Sequence, residues 1–396
     1  MTRIVFVSDF YFPFIGGAEE VCRMEAEGFY RRGYEVFVVT SLMPNLERYE
    51  DVHGVKVFRL NLQNIQLRHE ASSGSSWLTT GLINSILSYN LFSAQAVKQV
   101  IEKLKPDIIH VHNIGVKIPL LTLHILRELK VPIVMTLHDY RLICPRATLL
   151  CYTKIPCKIP RTACKILVKS QKILLKGSII QFISPSKFLA DRFREKFRDV
   201  EIAVIPNPIQ RIETIPKKSF EQFQILYAGR LVWYKGIRVL LKAFRDLKNE
   251  NVRLLVTGSG SELEVVKSYS RADRRIIPLG FMSEAGKQRL LKNANLTVVP
   301  SLWPEPSPMI ILEGFGSGTP TLASRIGGIQ EIVEDKFNGR LFEPGNSKEL
   351  SEILFELIED EMEFKRLQNG AFKSAYKYHI DRHLRILENI YFKLSL

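Results

Sequence analysis

Short runs rich in Val, Ile and Phe alternate along this chain with longer stretches whose apolar residues recur at helical spacing. Such alternation is the mark of parallel β/α units, whose strands are buried on both faces and so read as near-continuous apolar runs. In the first half the strand-like runs are Ile4 to Ser8, Glu35 to Val39, Val55 to Leu60, Ile108 to Val111, Ile133 to Thr136, Ile179 to Ile183 and Ile202 to Ile205. After an Ile205-Pro-Asn-Pro-Ile linker the pattern restarts at Gln224 to Tyr227, Arg253 to Val256, Arg275 to Pro278, Leu296 to Val299 and Thr321 to Ala323. Two doubly wound, Rossmann-like α/β domains in tandem are predicted, the first over residues 1–206. Sheets of this kind bind ligands beyond the carboxyl ends of their strands, so two of them facing each other would form a deep cleft. From Ser347 onward no strand pattern remains; Asn346 or Ser347 is placed to cap one helix and Asp381 another. The polar stretch Asn61 to Ser76 reads as a mobile loop.

A length of 396 residues agrees with two domains, and 46% hydrophobic with 24% charged residues is the balance of a soluble protein. No run of about 18 apolar residues occurs. The opening TRIVFVSDF and the Gly-Gly turn after it lack the plan of a signal peptide, which predicts a cytoplasmic protein. Net charge is +15, and Tyr140 to Ala190 holds ten Lys/Arg and no acid, the whole excess of the N-terminal half. Within it, ACKILVKSQKILLKG places Ile166, Leu167, Ile173, Leu174 and Leu175 at near-helical spacing. That pattern fits a basic helix on an anionic membrane surface or a solvated helix whose stripe packs on the domain. A sequence pI near 9.5 also raises nucleic acid, but zinc-finger spacing, RNA-binding aromatics and basic heptads are all missing. Cys144, Cys151, Cys157 and Cys164 crowd together without the paired C-x2-C spacing of a familiar zinc site. Reduced thiols are expected of them, with a metal or redox cluster as the alternative.

The densest chemistry lies in PSLWPEPSPMIILEGFGSGTPTLASRIGGIQE, Pro300 to Glu331. A strand, Asn295 to Val299, leads through a proline-rich loop to a helix with Pro308 at its first position, whose free N–H groups attract anions. Glu305 from the loop and Glu313 from the helix could then accept hydrogen bonds from one ligand's sugar hydroxyls while its phosphate sits at the helix end. Gly229-Arg230 and Lys235-Gly236 put two cations at a strand's carboxyl end, suited to a diphosphate leaving group. Gly258-Ser259-Gly260 fits the same face, and Gly16-Gly17 makes the first strand-to-helix turn. Of the histidines near strand ends, His110, His112, His124 and His138, the last ends Thr136-Leu137-His138-Asp139. It could donate to a phosphate or orient an acceptor. His110 and His112 share one side of their strand and read as packing residues.

The order GGAE, HVHN, LHDY, GRLVWYKG, VTGSGSE, PSLWPEPSPMIILEGFGSGTP and GGIQE resembles glycosyltransferase family 4, the retaining enzymes of the two-domain B-type fold, over nearly the whole chain. The resemblance implies a first domain that receives the acceptor, a nucleotide-sugar domain over 207–375 and a final helix, 376–396, that crosses back onto the first. Arg230 and Lys235 would hold the donor diphosphate, Glu305 the sugar hydroxyls and Glu313 the ribose. His138 would lie at the reaction centre, Gly17 would line the cleft, and Gly229 and Gly258 would border the donor. Many family members carry Phe-Gly where this chain has Ser307-Pro308, which leaves the amides of Met309 and Ile310 to do more of the phosphate binding. The implied reaction is transfer of a hexosyl group, with retention, from a UDP- or GDP-sugar to an acceptor hydroxyl. No Asp-x-Asp triplet of the other main glycosyltransferase fold occurs, so no metal is expected. A lipid-linked or cell-surface glycan, as in polysaccharide assembly, is the expected acceptor, at the inner face of a membrane. A nucleotide-sugar epimerase of the same fold, a non-catalytic nucleotide-sugar-binding subunit and a nucleic-acid-binding protein are the alternatives.

Overall fold

The structure, a computed structural model, describes residues 2–14, 16–62, 90–151, 157, 162–179, 181–197, 200–213 and 221–395. The chain divides into two compact units, Met1–Pro206 with Ile380–Leu396, and Asn207–His379. Residues 63–76 of the expected Asn61 to Ser76 loop lie outside the described residues, as do 152–156 and 158–161 of the basic segment.

Unit 1 is built on strands β1 (Arg3–Ser8), β2 (Glu35–Ser41), β3 (Tyr49–Val52), β4 (Val55–Leu60), β5 (Ile108–Val111), β6 (Ile133–Thr136), β7 (Gln181–Ser184) and β8 (Ile202–Val204). They lie in the order β3-β4-β2-β1-β5-β6-β7-β8, parallel except for β3, which runs antiparallel to β4. The central strands are buried on both faces, as the runs IVFV and IIHV require once helices cover both sides. The order reverses between β1 and β5, where His110 pairs with Phe6.

Helix Gly17–Arg31 packs against helix Ile380–Ser395 at the end of the chain. Gly28 permits the approach, since a Cβ there would meet Leu384 at 2.5 Å. Phe29 stacks on Tyr391 with ring centroids 5.2 Å apart, and Arg32 pairs with Glu388 at 2.6 Å. The final helix therefore belongs to the first unit's core. Tyr376–Tyr378, expected within it, forms a separate 3-10 turn in unit 2, and Asp381 lies inside the first turn rather than capping it.

Unit 2 carries an all-parallel sheet, β11-β10-β9-β12-β13-β14, from β9 (Phe223–Ala228), β10 (Val252–Thr257), β11 (Ile276–Gly280), β12 (Leu296–Val299), β13 (Thr321–Ser324) and β14 (Gly339–Phe342). Its order reverses between β9 and β12. Phe223, Phe244, Leu254, Leu296, Leu354 and Phe364 join one buried cluster, in which each large side chain contributes roughly 1.5–3 kcal/mol. Asn346 caps helix Ser347–Glu359 by accepting from the Glu349 amide. Two strands escape the apolar-run pattern. β3 is a polar edge strand, Tyr-Glu-Asp-Val, and β14 begins Gly-Arg.

Candidate functional site

In unit 2 the residues of interest gather at the carboxyl ends of β9 and β12, the reversal point where open parallel sheets hold ligands. β9 ends at Ala228, and Gly229 and Arg230 follow it on the surface. Gly258, after β10, has φ +137 and lies so close that a Cβ would stand 1.9 Å from the Gly229 carbonyl oxygen; only glycine lets these two loops touch. The Arg230 guanidinium lies over the Tyr234 ring at 5.7 Å, Tyr234 meets Trp303 edge-on, and Lys235 Nζ stands 5.3 Å from the Trp303 ring centre. Two aromatic rings thus hold the two cations on one surface.

After β12 the chain runs through the Pro-rich loop to helix Met309–Gly316. Pro308 is the N-cap, with φ −73 and ψ 116, and not the first helical residue as the sequence pattern predicts. The shift follows from its extended ψ, and the first amides of the helix are those of Met309 and Ile310, with no side-chain cap from Pro308. Glu305 is buried in the loop, accepting from Lys235 Nζ at 2.7 Å and Ser301 Oγ at 2.6 Å. Its backbone carbonyl accepts from the Gly328 amide at 2.7 Å, and a Cβ on Gly327 would strike the Pro304–Glu305 peptide. The Gly-Gly of GGIQE therefore fixes the Glu305 loop from below. Glu313, on the helix, pairs with Lys287 Nζ at 2.8 Å, and Lys287 also meets Glu284 at 2.9 Å. Burial alone would lower the Lys287 ammonium, but Glu313 and Glu284 outweigh it and raise it. Lys287 lies in no motif, and a single sequence offers no signal for it; Ser301 sits inside the Pro300 to Glu331 stretch, where nothing local marks it as the partner of Glu305.

Unit 1 presents its own polar cluster at the carboxyl ends of β1, β5 and β6. Asp9 accepts from the amides of Val116, Lys117 and Ile118 at 2.7–2.9 Å. Arg141 stands 3.6 Å from Asp9 and grips Asp139 at 2.8 Å. Burial raises the Asp9 carboxyl to about 6, with Arg141 and the three amides pulling the other way. His138 is half-buried beside them, and burial together with the neighbouring His112 pushes it down to about 3. Gly17 opens its helix in the β1 turn, exposed, and Glu19 two residues on receives Asn113 Nδ2 at 3.4 Å. His124 is exposed on helix Leu121–Leu126, away from any strand end, because that stretch continues into a helical turn.

His110 and His112 are fully buried and face Glu25 of helix Gly17–Arg31, whose carboxylate they approach at 3.3 Å. Among the described residues, these three form the group whose donor atoms come within 4.8 Å of one another; the four clustered cysteines form no such group and no disulfide. The basic helix Thr162–Leu175 buries Leu167, Leu174 and Leu175 and exposes Ile166 and Ile173 between Lys165, Lys169, Lys172 and Lys176. No helix among the described residues is long and apolar enough to cross a membrane.

A family model described as "Glycosyltransferase Family 4" matches residues 15–211, and one described as "Glycosyl transferases group 1" matches residues 209–374. An uncharacterized glycosyltransferase of Methanocaldococcus jannaschii is 27% identical, over 95% of this chain and 94% of its own. The alpha-monoglucosyldiacylglycerol synthase of Streptococcus pneumoniae is 24% identical, over 86% of this chain and 75% of its own. Among solved structures, Anabaena HepE in complex with UDP-glucose shares the fold at a TM-score of 0.71 and 19% identity, covering 98% of this chain and 99% of that one.

Proposed function

The chain belongs to glycosyltransferase family 4, with the two Rossmann-like sheets of the GT-B fold, and from that premise we propose that it moves a hexosyl group from a UDP- or GDP-sugar to an acceptor hydroxyl with retention. The observation that carries this reading is the arrangement at the β9/β12 reversal: two ring-held cations and the open start of helix Met309–Gly316 beside two buried carboxylates. In the proposed reaction the bond from the sugar's C1 to the diphosphate oxygen breaks and its electron pair leaves with the phosphate. The acceptor oxygen forms the new bond to C1 on the same face, and its proton passes to the departing phosphate oxygen.

Arg230, Lys235 and the amides of Met309 and Ile310 neutralise that diphosphate, so the reaction proceeds without a divalent ion. Glu305, already bonded to Lys235, turns to the sugar hydroxyls, and Glu313 takes the ribose. Gly229 and Gly258 let the backbone approach the donor, and on unit 1 we assign Gly17 and His138 to substrate. A chelator-treated enzyme that keeps its full rate supports the metal-free mechanism, and loss restored by Mg²⁺ would overturn it.

A lipid-linked or cell-surface glycan acceptor has two supports. One is the exposed Ile166 and Ile173 amid four lysines; the other is the printed activity of the streptococcal relative, whose name places its product on diacylglycerol. Removing the charges of Lys165, Lys169, Lys172 and Lys176 should abolish binding to anionic liposomes, each lysine being worth on the order of 1 kcal/mol at such a surface. The class is tested by nucleoside diphosphate release and thermal shift over a panel of UDP-, GDP-, ADP- and dTDP-sugars, wild type against Glu305→Ala. One donor should stabilise the wild type and be slowly hydrolysed by it alone. Binding without diphosphate release favours a non-catalytic subunit, and a changed sugar on an intact nucleotide favours an epimerase.

A further inference from the structure

Glu25 is fully buried on the inner face of helix Gly17–Arg31 and meets imidazoles from two other elements of unit 1. His383, on the final helix, places Nε2 3.0 Å from Glu25 Oε1 and Nδ1 2.9 Å from the Pro206 carbonyl. A backbone carbonyl only accepts and an ionised carboxylate only accepts, so this ring is set to carry a proton on each nitrogen. Burial alone would raise the Glu25 carboxyl, but the imidazoles gathered around it, His112, His110 and His383, outweigh burial and hold it well below the ordinary range. One carboxylate and one imidazolium close the charge count, as a dry interior demands. The other rings are then neutral.

Neutrality fixes the remaining protons. His112 Nε2 and His110 Nδ1 each face Glu25 Oε2 at 3.3 Å, just outside hydrogen-bond geometry, and neither His112 Nε2 nor Oε2 has a hydrogen-bond partner elsewhere. His112 must hold its single proton there, toward the carboxylate. Its Nδ1, stripped of a proton, lies 2.9 Å from His138 Nε2, which has to be the donor. His138 therefore keeps its proton on Nε2, and its Nδ1 is a bare lone pair.

We infer that Glu25 is a positioning residue which, through His112, fixes the tautomer of His138 so that this ring offers Nδ1 as a hydrogen-bond acceptor to a substrate hydroxyl. His138 thus takes a proton's share from a hydroxyl and does not donate to a phosphate. The hydroxyl in this statement rests on the transferase reading above; the proton order does not, because it belongs to the free protein.

The test is the nitrogen spectrum of the ring, recorded at neutral pH on protein labelled with ¹⁵N-histidine and assigned by the signals lost in His138→Ala. Wild type should show His138 protonated at Nε2 and bare at Nδ1, with His112 neutral. Glu25→Gln can present an amide N–H to His112, which reverses both rings and moves the His138 proton to Nδ1. With that reversal kcat should fall on the order of 10²-fold or more, as when a carboxylate that sets an imidazole tautomer is lost, while donor KM stays within about two-fold. A wild-type His138 protonated at Nδ1, or an imidazolium at His112, overturns the inference without any variant. So does a Glu25→Gln protein that loses activity with its His138 tautomer unchanged, for then Glu25 is merely structural. A stoichiometric metal that leaves with Glu25→Gln would also overturn it, since the donor atoms of Glu25, His110 and His112 would then be ligands. Should wild type show the expected spectrum yet release no diphosphate from any donor, the transferase reading fails while the proton order stands.

Discussion

Replacing Lys287 by Met isolates the electrostatic support of Glu313 with little change in packing. Lys287 Nζ is 2.8 Å from Glu313 and 2.9 Å from Glu284, and the Glu313 side chain is only 8% exposed against 22% for Lys287. Breaking a fully buried pair costs about 3–5 kcal/mol and an exposed one under about 1 kcal/mol, so this partly covered pair should be worth about 2 kcal/mol. That is roughly a 30-fold change in the folding equilibrium. Urea titration followed by tryptophan fluorescence reads it directly, because Trp233 and Trp303 both report on unit 2. The midpoint should fall with no change in slope. Glu284→Gln, which loses only the outer contact, should cost less than about 0.5 kcal/mol. The double variant Lys287→Met, Glu313→Gln should be less damaged than Lys287→Met alone, since no carboxylate is then stranded. A Lys287→Met midpoint indistinguishable from wild type, or a double variant as unstable as the sum of both, would refute the reasoning. On the proposed role of Glu313, donor affinity measured by thermal shift should weaken in parallel.

Arg230→Ala should leave stability within about 0.5 kcal/mol, because the side chain is exposed, while turnover falls on the order of 10²-fold or more; near wild-type turnover removes it from the diphosphate. Gly258→Ala forces a side chain into a positive φ and onto the Gly229 carbonyl, and should cost about 3 kcal/mol or more in chemical denaturation. For Asp139, burial alone would raise the carboxyl, but the Arg141 guanidinium outweighs it and holds it below the ordinary value. Its contribution to stability is therefore present above the unfolded carboxyl range and is lost as pH falls through the folded value. Asp139→Asn should lower stability at pH 7 and leave a shallower acid limb in pH-dependent melts; an unchanged limb would contradict the pairing.

The parallel architecture was legible because a strand covered on both faces is mostly apolar, and runs such as Ile4–Ser8 and Leu296–Val299 are too short for helices and rich in β-branched residues. β3 was not, since an edge strand with one covered residue keeps the polar composition of a loop. The Pro308 helix start fell one residue off, because proline suits both the cap and the first turn and only ψ separates them. Glu305, Glu313, Arg230 and Lys235 stand out by their place after strands, whereas Lys287 lies 26 residues from its partner and nothing local marks it. Glu25 was hidden likewise. In GAEEVCRMEAEGF nothing local sets Glu25 apart from the other acids; its burial is made by the histidines of β5 and by the helix Ile380–Ser395, both distant in sequence.

That far end has a consequence for how the protein is made. Residues 380–395 supply His383 and Tyr391 to the interior of a unit whose other parts are finished at Pro206, and they leave the ribosome only after all of unit 2. Through the translation of more than 170 residues the helix Gly17–Arg31 carries Glu25 without its His383 partner and Phe29 without the ring of Tyr391. The second unit can close early, while the first waits for the last turns of the chain to be spoken for.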